Sequence, residues 1–243
     1  MNNPFEIRNK NILITGAASG IGKETVKNLI NYNNKIIAVD RNVNGLQQLK
    51  EEICSDKLEI IKKDIKERKS IIQSIRFKLD GLVNCSGIIK LIPFKSITRK
   101  NIREITINNY ELPVLLTSSL LKKKKIKSGG SIVFISSIMS VVGTQTNSIY
   151  TGSKAAIVGI TRTLALEVAK EKIRVNSISP AFVETPMLDF IGKFIDLEIN
   201  KKDHPLGFGK SEDVANAIIF LLSDASKWIT GTNLIIDGGY SAK

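Results

Sequence analysis

Histidine is almost missing from this chain. His204 is the only one among 243 residues, and cysteine occurs twice, at Cys54 and Cys85. So few soft ligands argue against a zinc site, and two thiols cannot build the disulfide framework of a small secreted domain. No G-x-S-x-G elbow is present, and one histidine leaves no serine–histidine–acid route to hydrolysis. No apolar run approaches the roughly 20 residues that cross a bilayer, and MNNPFEIRNKN lacks the charged-then-apolar order of a signal peptide. These absences lead to the expectation of a soluble, cytoplasmic, metal-free protein. Linkers, repeats and low-complexity blocks are absent too, so one continuous domain over residues 1–243 is expected.

Acidic residues are outnumbered, 23 against 36 basic ones, for a formal charge of +13. The densest patch is LKKKKIK at 121–127. A nucleic-acid partner would suit that charge, but aromatics for base stacking are few and lysine is abundant along the whole chain. The run reads better as a solvated face, and neither nucleic acid nor membrane is expected as a partner.

What is present is alternation. KNILIT (10–15) is an apolar strand ending in a glycine cluster, and GKETVKNLINY behind it has helical spacing. KIIAVD (35–40), LEIIKKD (58–64), DGLVNCSG (80–87), GSIVFISS (130–137), IRVNSIS (173–179) and NLIIDGG (233–239) read as further strands, most of them separated by helical segments. Strands apolar on both faces need helices on both sides. The expected fold is α/β, a doubly wound parallel sheet of seven strands with right-handed crossovers. Ligands in such sheets bind beyond the carboxyl ends of the strands.

The first strand-to-helix turn, TGAASGIG (15–22), holds Gly16, Ser19, Gly20, Ile21 and Gly22. Glycine there allows a sharp turn and close approach of a pyrophosphate to the helix N-terminus. Asp40 closes the second strand, about 20 residues on, where a carboxylate accepts the hydroxyls of an adenine ribose and repels a 2′-phosphate. That favours NAD(H). Arg41 beside it keeps NADP(H) open, because a guanidinium can pair with that phosphate; a helix-capping duty for Asp40 is the competing account.

Tyr150 and Lys154, in YTGSK, are i and i+4 and share one helical face. A phenol with its ordinary pKa of about 10 is a poor acid–base group near neutrality unless a cation stabilises its phenolate. Lys154 is placed to do so.

With these motifs in order, the chain resembles the compact, single-domain branch of the short-chain dehydrogenase/reductase family. The likeness runs through TGAASGIG, Asp40, Asp64, NCSG (84–87), Asn108, the serine of ISS, YTGSK, SPAFVETPM (179–187) and ITGTNLIIDGG (229–239). It implies Tyr150 as general acid–base, with Lys154 lowering its pKa and bonding the nicotinamide ribose. It implies Ser137 on the substrate oxygen and Asn108 holding a water that relays protons to Lys154. Asp64 and Ile65 would bracket the adenine, Asn84 and Gly87 would let the cofactor lie on the fourth strand, and Val183 and Thr185 would take the carboxamide, with Pro180 nearby. Cys85, where the family usually has asparagine, is expected to leave the site sensitive to thiol reagents.

The resemblance also implies reversible hydride transfer between a secondary alcohol and a ketone, by a dimer or tetramer. The alternatives are an NADPH-dependent 3-oxoacyl-[acyl-carrier-protein] reductase and, more distantly, a non-catalytic nucleotide- or nucleic-acid-binding protein. Residues 184–209 read as a substrate-covering lid or as plain core packing. The apolar helix at 150–171 is expected to meet a second subunit.

Overall fold

The computed structural model describes residues 3–242, the side chains of Ile199 and Asn200 excepted. In chain order it contains β1 (Asn11–Thr15), α1 (Gly20–Ile30), β2 (Lys35–Asp40), α2 (Val43–Ile53), β3 (Leu58–Lys62), α3 (Arg68–Ser74), β4 (Leu79–Asn84), α4 (Arg99–Thr106), α5 (Leu112–Lys122), β5 (Ile126–Ile135), α6 (Ser148–Glu167) and β6 (Arg174–Pro180). These are followed by β7 (Val183–Glu184), α7 (Pro186–Ile191), α8 (Leu197–Lys202), β8 (Gly209–Lys210), α9 (Ser211–Leu222) and β9 (Asn233–Ile236).

Seven strands form one sheet in the order β3-β2-β1-β4-β5-β6-β9, every neighbouring pair parallel. This is the doubly wound Rossmann architecture. The chain leaves β1 towards β3 on one side and returns to β4 on the other, so the order reverses between β1 and β4.

The alternation of side chains explains why both faces are covered. Ile12 and Ile14 of β1 join Ile36 and Ala38 of β2 under Val26 and Leu29 of α1 and Ile218 of α9. Leu13, Ile37 and Val39, one residue out of step, join Leu116 and Leu120 of α5 and Ile157 of α6 on the opposite face. All are fully or almost fully buried, each of the larger ones contributing about 1.5–3 kcal/mol of burial.

Several strands end earlier than the apolar runs suggest: β3 at Lys62, β4 at Asn84, β5 at Ile135 and β9 at Ile236. The polar and small residues beyond them leave the ladder to line a cleft or make turns. β5 also begins earlier than expected, at Ile126, across an irregularity in its register with β4. The helix expected at 150–171 runs Ser148–Glu167, and a 3-10 turn at Ala169–Glu171 ends it where Lys172 takes φ +56°. Most of its apolar side chains pack within the chain, but Leu166 is 78% exposed.

The lysine surplus has a place in the fold. Lys57, Lys35, Lys10, Lys78, Lys125 and Lys172 stand at or just before the first residues of β3, β2, β1, β4, β5 and β6. They form a row along the amino edge of the sheet, the end away from the ligand-binding edge. Among the described residues no helix is long and apolar enough to cross a membrane.

Candidate active site

Beyond the carboxyl ends of the strands, at the reversal of strand order, lies a cleft of about 840 Å³. Gly16, Ser19, Gly20, Ile21 and Gly22 line it, as do Asp40, Arg41, Asp64, Ile65, Gly87, Asn108, Ser137, Tyr150, Lys154, Pro180, Val183 and Thr185. The fold therefore gathers residues separated by up to 169 positions around one space. Asn84 is the exception among the residues singled out from sequence. It is the last residue of β4, its side chain turns into the core, and its amide donates to Thr117 Oγ1 at 3.3 Å. Side chains alternate across a strand, and that of Asn84 falls on the face covered by α5, the helix of Thr117.

At the glycine turn, Gly16 has φ +66°, and a Cβ there would lie 2.8 Å from Ser86 N. Gly20, φ +50°, has the Thr185 methyl where a Cβ would need room, so the turn and the β7–α7 loop approach across the cleft. Ser19 is the N-cap of α1 and makes no side-chain capping bond. Its hydroxyl and the first N–H groups of an 11-residue helix are thus left for an anion, which is the chemistry a dinucleotide pyrophosphate requires.

Asp40 has two acceptor duties within the chain. Oδ2 accepts from Ala18 N at 3.1 Å and Oδ1 from Asn42 N at 2.9 Å. It does not cap α2, for Asn42 takes that place and accepts from Gly45 N at 3.0 Å. The carboxylate instead ties the glycine turn to the end of β2. Arg41 lies 3.9 Å from Asp64, largely exposed. Asp64 caps the short 3-10 turn Ile65–Glu67.

At the other end of the cleft, α6 presents Tyr150 and Lys154, 6% and 4% exposed. Ser136 and Ser137, at the end of β5, point apart as adjacent strand residues should. Ser136 Oγ donates to Lys154 O at 2.8 Å and pins the helix, while the Ser137 hydroxyl is hydrogen-bonded to the Tyr150 phenol. Lys154 Nζ donates to Ile135 O at 2.8 Å and stands 5.7 Å from the Tyr150 ring centroid.

Burial pushes the Tyr150 phenol up to about 12, with the Ser137 hydrogen bond opposing it. Burial also drives Lys154 down to about 8, and its ammonium donates to the Ile135 carbonyl. In this arrangement Tyr150 keeps its proton throughout the neutral range. Cys85 lines the cleft half-buried, and burial pushes its thiol up to about 12, which lowers the share of reactive thiolate near neutrality.

A buried ammonium has a measurable consequence. Between about 8 and its ordinary 10.5, Lys154 binds fewer protons in the folded chain than in the unfolded one, so stability rises with pH across that window. Lys154→Met is expected to remove that rise, read as urea midpoints at pH 7.5 and 9; an unchanged pH slope in the variant would contradict the assignment.

The residue that sequence reading passed over is Asn109. The rod formed by α4 and α5 is broken by a π-helical turn, Ile107–Glu111. Asn108 faces the cleft edge and its amide donates to Glu104 O at 2.8 Å. Asn109 is buried, accepts from Ile88 N at 2.8 Å, and donates to Ile88 O at 2.9 Å and to Ser153 Oγ at 3.1 Å. It joins the loop after β4 to the helix of Tyr150 and Lys154. Two adjacent asparagines with no visible phase gave no signal to choose between them, and the wide turn decides it.

Over the cleft, the segment at 184–209 folds as α7 and α8 with β7 paired to β8. Leu188 and Ile191 are buried, Met187, Phe190 and Phe194 are exposed, and all but Phe190 line the cleft. His204 is buried in an aromatic stack between Phe182 and Tyr240, with centroids 5.3 Å and 4.7 Å away.

The family model described as Enoyl-(Acyl carrier protein) reductase matches residues 16–241. Among curated proteins, the chain is 30% identical to cyclohexanol dehydrogenase of Acinetobacter sp. (strain SE19), over 100% of this chain and 98% of that one. It is 33% identical to the 3-oxoacyl-[acyl-carrier-protein] reductase FabG of Thermotoga maritima, over 97% and 99%. Among solved structures, a short-chain dehydrogenase/reductase, glucose/ribitol dehydrogenase, from Brucella melitensis superposes with a TM-score of 0.91 at 28% identity, over 98% and 99%. A Tyr-to-Phe variant of ElxO with NADPH bound gives 0.88 at 27% identity, over 97% and 100%. A 4-hydroxyisoleucine dehydrogenase mutant complexed with NADH and succinate gives 0.86 at 30%, over 96% and 99%.

Proposed function

We propose, for a chain that belongs to the short-chain dehydrogenase/reductase family, that Tyr150 carries the proton and Lys154 and Ser137 position the reaction. The protein is an oxidoreductase of the CH–OH class that uses a nicotinamide nucleotide to interconvert alcohol and ketone. Bound in the cleft, the nicotinamide supplies or removes hydride. The residues fit such a group: a glycine turn open to a pyrophosphate, an uncapped helix start, and a buried acid–base pair at the far end of the same space.

In the direction of reduction, Tyr150 holds its proton at a phenol beside Ser137 and gives it to the carbonyl oxygen as that oxygen gains charge. Ser137 donates to the same oxygen and fixes its place. Lys154, held by Ile135 O and by the Ser136 bond to its own carbonyl, keeps the positive charge near the developing phenolate. Asn109 holds α6 against the loop after β4. The single observation that carries this reading is the convergence of Ser137, Tyr150 and Lys154 on the cleft that the glycine turn opens.

Asp40 makes NAD(H) the preferred cofactor, because its carboxylate faces the cleft at the end of β2 and is fixed there by two backbone N–H groups. Steady-state rates with NADH and NADPH, over cyclohexanone, sugars and acyl thioesters, test the reading. NADH is expected to give about tenfold or more higher kcat/KM, and Asp40→Ala to narrow the gap. The opposite ratio, with acyl thioesters as best substrates, would favour the 3-oxoacyl reductase alternative that the FabG likeness suggests. We assign the chain to a dimer or tetramer on the strength of the exposed Leu166 of α6, with light scattering as the reading, and place it in the cytoplasm.

A further inference from the structure

We propose that the substrates are uncharged ketones bearing a hydrocarbon group, and that a carboxylate or phosphate close to the carbonyl is refused. The proposal rests on the alcohol–ketone reading and names the substrate class of that same site.

Among the described residues that line the cleft, the charged ones are Asp40, Arg41, Lys63, Asp64 and Lys154. The first four stand at the nucleotide end. Asp40 closes β2 and Arg41 follows it, while Lys63 and Asp64 follow β3; Ser137 comes just after β5. In the sheet β2 is three strands from β5 and β3 is four. Neighbouring strands lie about 4.8 Å apart, so these charges start about 14–19 Å from the strand that carries Ser137. The fifth, Lys154, is 4% exposed and donates to Ile135 O at 2.8 Å. Among the described residues, no other cation lines the cleft near Tyr150 to meet an anionic substituent.

Charged residues of the surrounding loops are turned elsewhere. Lys90, after β4, pairs with Glu104 at 2.7 Å, and Asp189, Lys193 and Asp196, in and after α7, are exposed; these side chains do not line the cleft. What lines it there is apolar and comes from three places: Ile89 and Leu91 after β4, Met139 after β5, and Met187, Ile191 and Phe194 in and after α7. Met139 and Ile89 pack in one cluster with Tyr150, so this wall is continuous with the reacting centre. Phe194 is 63% exposed and meets the Phe190 ring edge-on at 5.2 Å. Covering such surface with hydrocarbon strengthens binding by about fourfold for each methylene fully buried. An anion placed against it gives up its water and finds no partner.

A matched set of ketones reads this, with NADH and NADPH in turn. 2-Pentanone, 2-heptanone and 2-nonanone differ only in methylenes, and 4-oxopentanoate is 2-pentanone with its far methyl replaced by a carboxylate. From pentanone to heptanone kcat/KM is expected to rise about two- to fourfold per methylene, and for the oxo acid to fall about tenfold or more below 2-pentanone. In Phe194→Ser the heptanone-to-pentanone ratio is expected to shrink by about 2- to 5-fold. Turnover with a flat series, with the oxo acid as good as 2-pentanone, or with a ratio unmoved by Phe194→Ser overturns the inference and leaves the catalytic reading standing. Calorimetry of the corresponding 2-alkanols on protein saturated with reduced nucleotide, which cannot oxidise them, separates the other case. The same gradient in Kd with no turnover of any ketone overturns the catalytic reading and leaves the apolar wall standing, and neither turnover nor a gradient overturns both.

Discussion

Tyr150→Phe is expected to lower turnover about 10³-fold while leaving NADH affinity within about twofold. Proton transfer by a positioned side chain is worth about 10²–10⁴, and no other group is placed to take over the duty. Ser137 donates but does not readily release its proton, and Lys154 is turned to Ile135 O. The substitution removes one hydroxyl from a residue otherwise held by packing against Ile138 and Met139, so the helix and its glycine-turn partner stay in place. With the phenol pushed up to about 12 by burial, the wild-type protein begins each reduction with the proton already on Tyr150. Steady-state rates with NADH and a ketone, beside fluorescence titration of NADH, read the two halves. Turnover within tenfold of wild type rejects Tyr150 as proton carrier, and a matching loss of NADH affinity makes its contribution one of cofactor binding.

The second large effect is expected at Gly22, in the first turn of α1. A Cβ there would drive into the backbone carbonyl of Gly16, closer than any real contact, and the neighbouring Ala17 backbone leaves no way round. Gly16 cannot yield, because it is itself at φ +66° and wedged against the Cys85–Ser86 backbone. Gly22→Ala must therefore push α1 off β1, with a strain cost of about 1–3 kcal/mol or more. In a chain of this size that is a Tm lower by roughly 2–4 °C per kcal/mol, and NADH affinity should fall with it, because the same turn forms the anion cradle. Gly159→Ala supplies the contrast. Gly159 lies mid-way along α6 with nothing within 4 Å of its added Cβ in the single chain, so helix propensity favours the variant by about 0.5–1 kcal/mol, read beside light scattering because Gly159 shares a helical face with Leu166. Equal melting temperatures for wild type and Gly22→Ala would refute the close-packing argument.

Much of this was legible from residues alone, for physical reasons. Doubly apolar strands such as ILI at 12–14 and IIAV at 36–39 can only be buried on both faces, which dictates the helical layers on either side. Punctuation by TGAASGIG and the polar residues after each strand located the ligand-binding edge. Less was visible where a side chain's direction depends on tertiary partners. Asn84 looks cleft-facing in NCSG, but the pleat points it inward to Thr117. Cys85 looks reactive as a letter, whereas its thiol is pushed up by the surrounding packing, which a sequence does not display. The desolvation of Tyr150 was not visible either: a lysine four residues along promises a stabilising cation, and only the fold shows that both groups are buried together and that the ammonium donates to a carbonyl.

The π-helical turn at Ile107–Glu111 also says something about chain length. Such a turn holds one residue more than an α-helix would over the same span, so α5 is rotated by a step relative to α4. Counting threes and fours across the joint therefore misleads. The exposed side chain of Glu111 can be exchanged with little harm to that arithmetic. Adding or losing a residue there rewinds α5, turning the stripe of Leu112, Leu116 and Leu120 away from the sheet and Asn109 away from Ile88. The segment is thus constrained in its number of residues as well as in the identity of Asn109.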